Sequence, residues 1–300
     1  MVSPIEIVLI PTLMIMLGYM LKSAGILKEE DSTILSAIVL NVSLPSLIFV
    51  NISAANISSD MIVLPFAALL LSFSCLVISY LFCKWRGYSK VKTWTIMIAS
   101  SMMNTGFLGF PITLGVFGKE GFLNAIFFDL STTLLFVIFG MILVGIFGGK
   151  RGDVLKQVVG FVPLWAVVIG LMFNFFGVAY PYVVESTLNY LGQATIPLIM
   201  MALGLTLNFS KIKNAIGDSL FVACVKLFIA PVIMLLIMLA LGFNGLSFQV
   251  AVLEAGMSTA MNALVLSINY DLDTELMSSL IFTNTVLCLF TLTVIIGFLL

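Results

Sequence analysis

An all-α membrane protein is the fold class the sequence predicts, and three observations predict it. The 300-residue chain is 61% hydrophobic and 9% charged, whereas soluble domains carry about 25% charged residues. Its mean hydropathy is +1.23. Its apolar runs are continuous over about 20 residues, the length at which a helix crosses a bilayer, whereas barrel strands alternate over roughly 10. There is no long polar region from which to build a soluble domain.

The hydropathy pattern reads as ten spans, over about 4–22, 33–51, 61–83, 93–117, 122–147, 158–177, 184–207, 214–241, 247–269 and 275–299. The first carries Glu6 near its start, with no basic leader and no cleavage pattern, so it is expected to be retained as a span. The connectors are short. Lys28–Asp31, Lys84–Lys90, Gly148–Asp153 and Lys211–Lys213 read as loops at a water surface.

Basic residues set orientation. Lys22, Lys28, Lys84, Arg86, Lys90, Lys92, Lys150, Arg151, Lys156, Lys211 and Lys213 all fall in odd-numbered loops or at their edges. Lys119 alone falls on the other side, and Lys226 lies within a span. The odd loops are therefore expected to be cytoplasmic, with both termini outside a multi-pass protein of the cell membrane.

Internal repetition follows. Pro11 and Pro163, Gly18 and Gly170, and Pro45 and Pro197 each match at an offset of 152, and the Met-Asn pairs ending at Asn104 and Asn262 match at 158. Five spans per half is an odd number, so the second half enters from the opposite side. Residues 1–147 and 158–300 are thus expected to form two inverted five-helix repeats, with helices 4 and 9 broken and crossing.

The fourth and ninth spans carry the chemistry. Asn104-Thr-Gly-Phe-Leu-Gly-Phe-Pro111 sits at the centre of an apolar run, and Glu254-Ala-Gly-Met-Ser-Thr-Ala-Met-Asn262 repeats its character. Proline removes a donor and glycine relaxes the backbone, so each helix should break there. Within hydrocarbon a break persists only where protein or a water-filled cavity satisfies the freed peptide groups. The N-terminal end of a half-helix exposes N–H groups and about half a positive charge, which suits a carboxylate. Asn104, Thr105, Gly106, Pro111, Ser258, Thr259 and Asn262 are the expected substrate-binding residues.

Charged residues inside spans cost about 2.5–3.5 kcal/mol or more if they face lipid, so Glu254, Asp129 and Lys226 should face protein or water. Glu254 is the expected site of cation coupling, by proton or Na⁺. Asp129, Lys226, Ser101 and Thr132 are further candidates, and Ser100, Asn104, Ser131 and Thr133 could add Na⁺ ligands. A static ion pair of Lys226 with either carboxylate is the alternative. Asn41 with Pro45 and Gln193 with Pro197 are similar polar and proline positions in spans 2 and 7.

Several functions are excluded or disfavoured. Cysteines stand singly at 75, 83, 224 and 288, and histidine is absent, so no metal centre or other cofactor is expected. No Walker-type sequence is present. The close acidic pair Asp271 and Asp273 lies in a short loop without accompanying basic residues, which argues against an enzyme. A channel would need polar lining along several helices, and no nucleic-acid partner is expected.

These residues resemble a known family. Pro11 with Gly18-Tyr19, Leu44-Pro45, Asn104 to Pro111, Ile196-Pro197 with Ala202-Leu-Gly204, and Met257 to Asn262 are similar, in order and spacing, to the auxin efflux carrier family. That family includes plant auxin exporters and prokaryotic malonate or malate carriers. The resemblance implies a ten-helix fold like the bile acid/sodium symporters, with spans 1, 2, 6 and 7 as a dimerising scaffold and spans 3–5 and 8–10 as a transport domain. It implies secondary transport of a small organic anion (auxin-like, or a mono- or dicarboxylate) by an elevator mechanism, with Asn41, Pro45 and Pro197 on the scaffold side of the site. A sodium-coupled symporter of a bile-acid-like or other amphipathic anion is the alternative. Two departures stand out: Ser258 occupies a position that is often proline, and the long cytoplasmic loop of the plant exporters is missing.

Overall fold

The computed structural model describes residues 4–148, 150–207 and 216–300. Within them the chain is helical: α1 Pro4–Ser23, α2 Asp31–Ser53, α3 Ser59–Arg86, α4 Lys90–Ser101, α5 Thr105–Phe147, α6 Arg151–Val159, α7 Val162–Phe176, α8 Tyr182–Thr206, α9 Ile216–Ala240, α10 Gly245–Ala255, α11 Asn262–Asn269 and α12 Thr274–Leu299. The described residues form no sheet, and a single isolated bridge joins Met103 to Thr259.

Seven of these helices are long and apolar enough to cross a membrane, and α6 with α7, bent by 54°, makes up to eight. The sequence led us to expect ten. The difference has a physical source: α4, α10 and α11 stop after 12, 11 and 8 residues, and about 20 are needed to span. The end of expected span 4 and the whole of span 5 lie in α5, which is two helices divided at Gly118, where φ is 65° and ψ −159°. Residues 151–153, read as loop, begin α6 instead. The expected loop at Lys211 and Lys213 lies outside the described residues.

Among the described residues, π-helical turns occur at Val39–Ser43, Thr105–Gly109 and Val225–Ile229. Each precedes a proline in the next turn, at Pro45, Pro111 and Pro231. A proline has no N–H to return to the carbonyl four residues back, and its ring crowds that carbonyl. Widening the preceding turn relieves both problems.

The chain divides into two compact units. One gathers Ser59–Leu155 and the described part of Asn208–Leu300; the other gathers Glu6–Ser58 and Lys156–Leu207. In the second unit, glycines allow backbones to approach closely. A side chain on Gly18 would meet the carbonyl of Met201, and one on Gly204 would meet that of Ile15. A side chain on Gly170 would lie 3.1 Å from Ile52 and 3.6 Å from the Cα of Phe49. The Lys22 ammonium closes this packing by donating to the carbonyls of Leu205 and Leu207 at 2.8 and 3.0 Å.

In the first unit, the Asp218 carboxylate ties helix starts together. It accepts from Tyr88 Oη at 2.7 Å and pairs with Lys92 Nζ at 2.7 Å, while Phe82 and Phe221 stack at 3.7 Å. Asp273 caps α12 by accepting from the Leu276 amide at 2.9 Å. An N-cap of this kind contributes about 1 kcal/mol. Asp273→Ala is therefore expected to lower stability by about that amount, readable as a lower thermal midpoint of the purified protein. Asp271, two residues earlier, adopts φ 50° in the turn before that cap.

Candidate functional site

Both interruptions are present, and they lie against one another. Helix α4 ends at Ser101, and Met102 turns to an extended conformation with φ −97° and ψ 124°. Helix α10 ends at Ala255 and α11 starts at Asn262. The two interrupted segments pair in antiparallel fashion, bridged at Met103 and Thr259. The Asn104 amide donates to Ser258 O at 2.8 Å, and the Ala260 amide donates to Met102 O at 3.1 Å. Thr259 Oγ1 adds a bond to Ala99 O at 2.9 Å. Each break thus satisfies part of the other's freed backbone, which is the condition for interrupting a helix in hydrocarbon.

Side chains complete the arrangement. Asn104 is 2% exposed. Its carbonyl accepts from Leu108 and Gly109, yet its side-chain Nδ2 has no hydrogen-bond partner. Thr105 Oγ1 donates to the Asp129 carboxylate and lies 3.2 Å from Thr132 Oγ1. Ser258 Oγ accepts from Thr285 Oγ1 at 3.3 Å. Pro111 is buried in the first turn after the π-helical segment. Residues 251–260 are buried throughout, as are 101–105. Exposure returns at Gly106 and Phe107 and at Met261 and Asn262. These are the N-terminal ends of the two second half-helices, where backbone N–H groups have no intrahelical acceptor.

Glu254 is fully buried at the end of α10. Its Oε1 accepts from Thr113 Oγ1 at 2.6 Å, and its Oε2 has no partner. The carboxylate lies where a side chain on Gly109 would stand. Gly109→Ala is therefore expected to displace the carboxylate at little cost in stability, because the far end of a glutamate can move. The check is a reduced response of uptake to imposed cation gradients with an unchanged thermal midpoint.

Lys226 is also fully buried, but it pairs with neither carboxylate. It donates instead to Met102 O at 3.2 Å. The static ion pair considered from the sequence is thus not formed. Ser100, Ser101 and Ser131 donate back to Ile96, Met97 and Phe128 of their own helices. No group of three or more metal-ligating acidic or cysteine residues occurs among the described residues.

Two residues escaped the sequence reading. Thr113, the partner of Glu254, looks from sequence like one hydroxyl in an apolar helix, and Gly109 looks like part of the break alone. The remaining expected positions, Asn41, Pro45 and Pro197, belong to the second unit. Asn41 and Pro45 line an open groove of about 490 Å³ there, with Phe49, Trp165, Phe173 and Tyr180. Asn41 Nδ2 donates to Ala37 O at 2.8 Å, within its own helix.

Comparison with known proteins agrees with this architecture. The family described as Membrane transport protein matches residues 4–157 and 152–296. A protein of Methanothermobacter thermautotrophicus described as an uncharacterized transporter is 43% identical over 290 residues, covering 96% of this chain and 95% of its own. Another so described, from Methanocaldococcus jannaschii, is 36% identical over 292 residues, covering 94% of each chain. A protein of Rhizobium meliloti provisionally named a malonate transporter is 32% identical over 115 residues, covering 38% of this chain and 36% of its own. An all-helical, multi-pass chain with paired helix breaks, matched along nearly its whole length by transporters, is itself a membrane transporter and belongs to the membrane transport protein family, that of the auxin efflux carriers.

Proposed function

We propose that this protein is a secondary transporter of a small organic anion, held where the two broken helices pair. One observation carries the reading. The Asn104 Nδ2 donor is buried without a partner, beside half-helix N-termini that are the accessible parts of an otherwise buried region. An unmet buried donor next to partial positive charge is complementary to a carboxylate. Asn262, at the first position of α11, offers a second amide.

On this reading α4 with the start of α5 is one crossing, the rest of α5 a second, and α10 with α11 a third, which restores ten. Inverted repeats find support in a repeated contact. Gly18 meets Met201 and Gly170 meets Phe49, with both members displaced by 152 positions. The basic-residue asymmetry favours both termini outside. The first unit would carry the substrate in an elevator motion, and the second would be the scaffold through which two copies associate. Glu254 would bind the coupling cation, since it is buried with one oxygen unmet.

A dicarboxylate such as malonate heads the substrate classes to test, given the name of the Rhizobium relative. The test is uptake of mono- and dicarboxylates into proteoliposomes under imposed Na⁺ and pH gradients. Saturable uptake of one class supports the reading. Uptake of none, by protein that remains folded, overturns it.

A further inference from the structure

The lysine in the paired breaks has a place that the transport reading does not use. Lys226 is 0% exposed, within a transmembrane helix. A lysine there normally pairs with a carboxylate or with backbone carbonyls. Here it makes no ion pair, and the titratable groups facing it are the thiols of Cys75 and Cys288. Its ammonium reaches 3.2 Å from the carbonyl of Met102, the residue that follows the last turn of α4 as its C-cap. That carbonyl already accepts the Ala260 amide, so Lys226 is not needed to satisfy it as a hydrogen-bond acceptor. What the ammonium adds is charge. The carbonyl end of a half-helix carries about half a negative charge, and here it is fully buried, with Met102 and Lys226 both 0% exposed. The π-helical turn Val225–Ile229, opened ahead of Pro231, carries the lysine at this point.

We propose that Lys226 is the built-in monovalent cation of the paired breaks. Its ammonium takes the position at the end of α4 where a small cation would otherwise bind, and cutting the side chain back opens a site for one. This goes beyond the transport reading and does not need the substrate to be known.

The experiment is thermal unfolding of the purified full chain in detergent, as wild type and as Lys226→Ala, Lys226→Met and Lys226→Arg. Each is measured with n-propylammonium, Na⁺ or choline chloride at equal ionic strength, with n-propanol as the neutral control. Wild type and Lys226→Arg are expected to show the same midpoint in all conditions. Lys226→Ala should unfold about 5 °C lower in choline. It should recover saturably with n-propylammonium and not with n-propanol. Lys226→Met, which fills the space without charge, should stay low throughout. Equal rescue by n-propanol, or no rescue at all, would mean that packing rather than charge is at stake and would overturn the proposal. If Lys226→Ala cannot be isolated, the other two variants decide it: Lys226→Met as stable as wild type overturns it, and a low Lys226→Met beside a normal Lys226→Arg supports it. Because no substrate is added, failure here is separate from failure to find a transported anion.

Discussion

Glu254→Gln is expected to abolish gradient-driven accumulation while leaving the protein folded and able to equilibrate its substrate. Each 100 mV of driving force on one coupled charge is worth about 2.3 kcal/mol, or roughly 50-fold accumulation. The variant should bring that ratio to about one. The expectation rests on three features of the residue. It is fully buried. Its one hydrogen bond comes from Thr113, and its second oxygen has none. It lies in space that only a glycine at 109 leaves open. A carboxylate with one oxygen unmet has room to take up a proton or to bring its charge to a cation's shell, whereas a glutamine amide cannot take up the proton and offers a cation only a neutral oxygen. Proteoliposomes with imposed Na⁺ or pH gradients provide the measurement. A variant that still accumulates substrate in response to the gradient would remove Glu254 from the coupling mechanism. Thr113→Val, which takes away the single donor, should weaken the response without abolishing it.

Asn104→Ala is expected to weaken substrate binding by about 10- to 100-fold, the range for losing a hydrogen bond to a charged group. Stability should move the other way or not at all. In the unliganded protein Nδ2 has no partner, and removing a buried unmet donor relieves a desolvation cost. The two readouts together separate a binding role from a packing role. Truncation of a packing residue lowers the thermal midpoint along with affinity, whereas a substrate-facing amide lowers affinity alone. Asn104→Asp should be more severe, because it sets a negative charge where an anion is expected. Wild-type affinity in Asn104→Ala would exclude this amide from the site. Binding can be followed through competition for uptake or through ligand-induced thermal shift.

Much of the site could be read from particular residues. Gly106, Gly109 and Pro111 mark the first break from just beyond it: the chain leaves the helix at Met102 and resumes in the π-helical turn that Pro111 follows. Gly256 and the small polar run to Thr259 mark the second. Polar residues at those breaks singled themselves out because isolated polar groups in hydrocarbon are costly. Partners were not readable. Nothing in the sequence joins Thr113 to Glu254 across 141 positions or Lys226 to Met102 across 124. The natural guess for Lys226 was a carboxylate, because charge pairing is the usual solution, and a backbone carbonyl supplies the contact instead. The lengths of the individual helices were not readable either, because hydropathy records where apolar residues lie and not where a helix stops: α4, α10 and α11 end after 12, 11 and 8 residues.

The sequence alone determined that this chain lives in a bilayer as helices, and where those helices must break, because transfer free energy and backbone chemistry are properties of local residues. The tertiary structure alone decided that the two breaks pair with each other, that Glu254 keeps one oxygen unmet, and that Lys226 faces the end of a half-helix. Those outcomes depend on which distant segments meet, and contact between segments more than a hundred residues apart is set by packing of the whole unit.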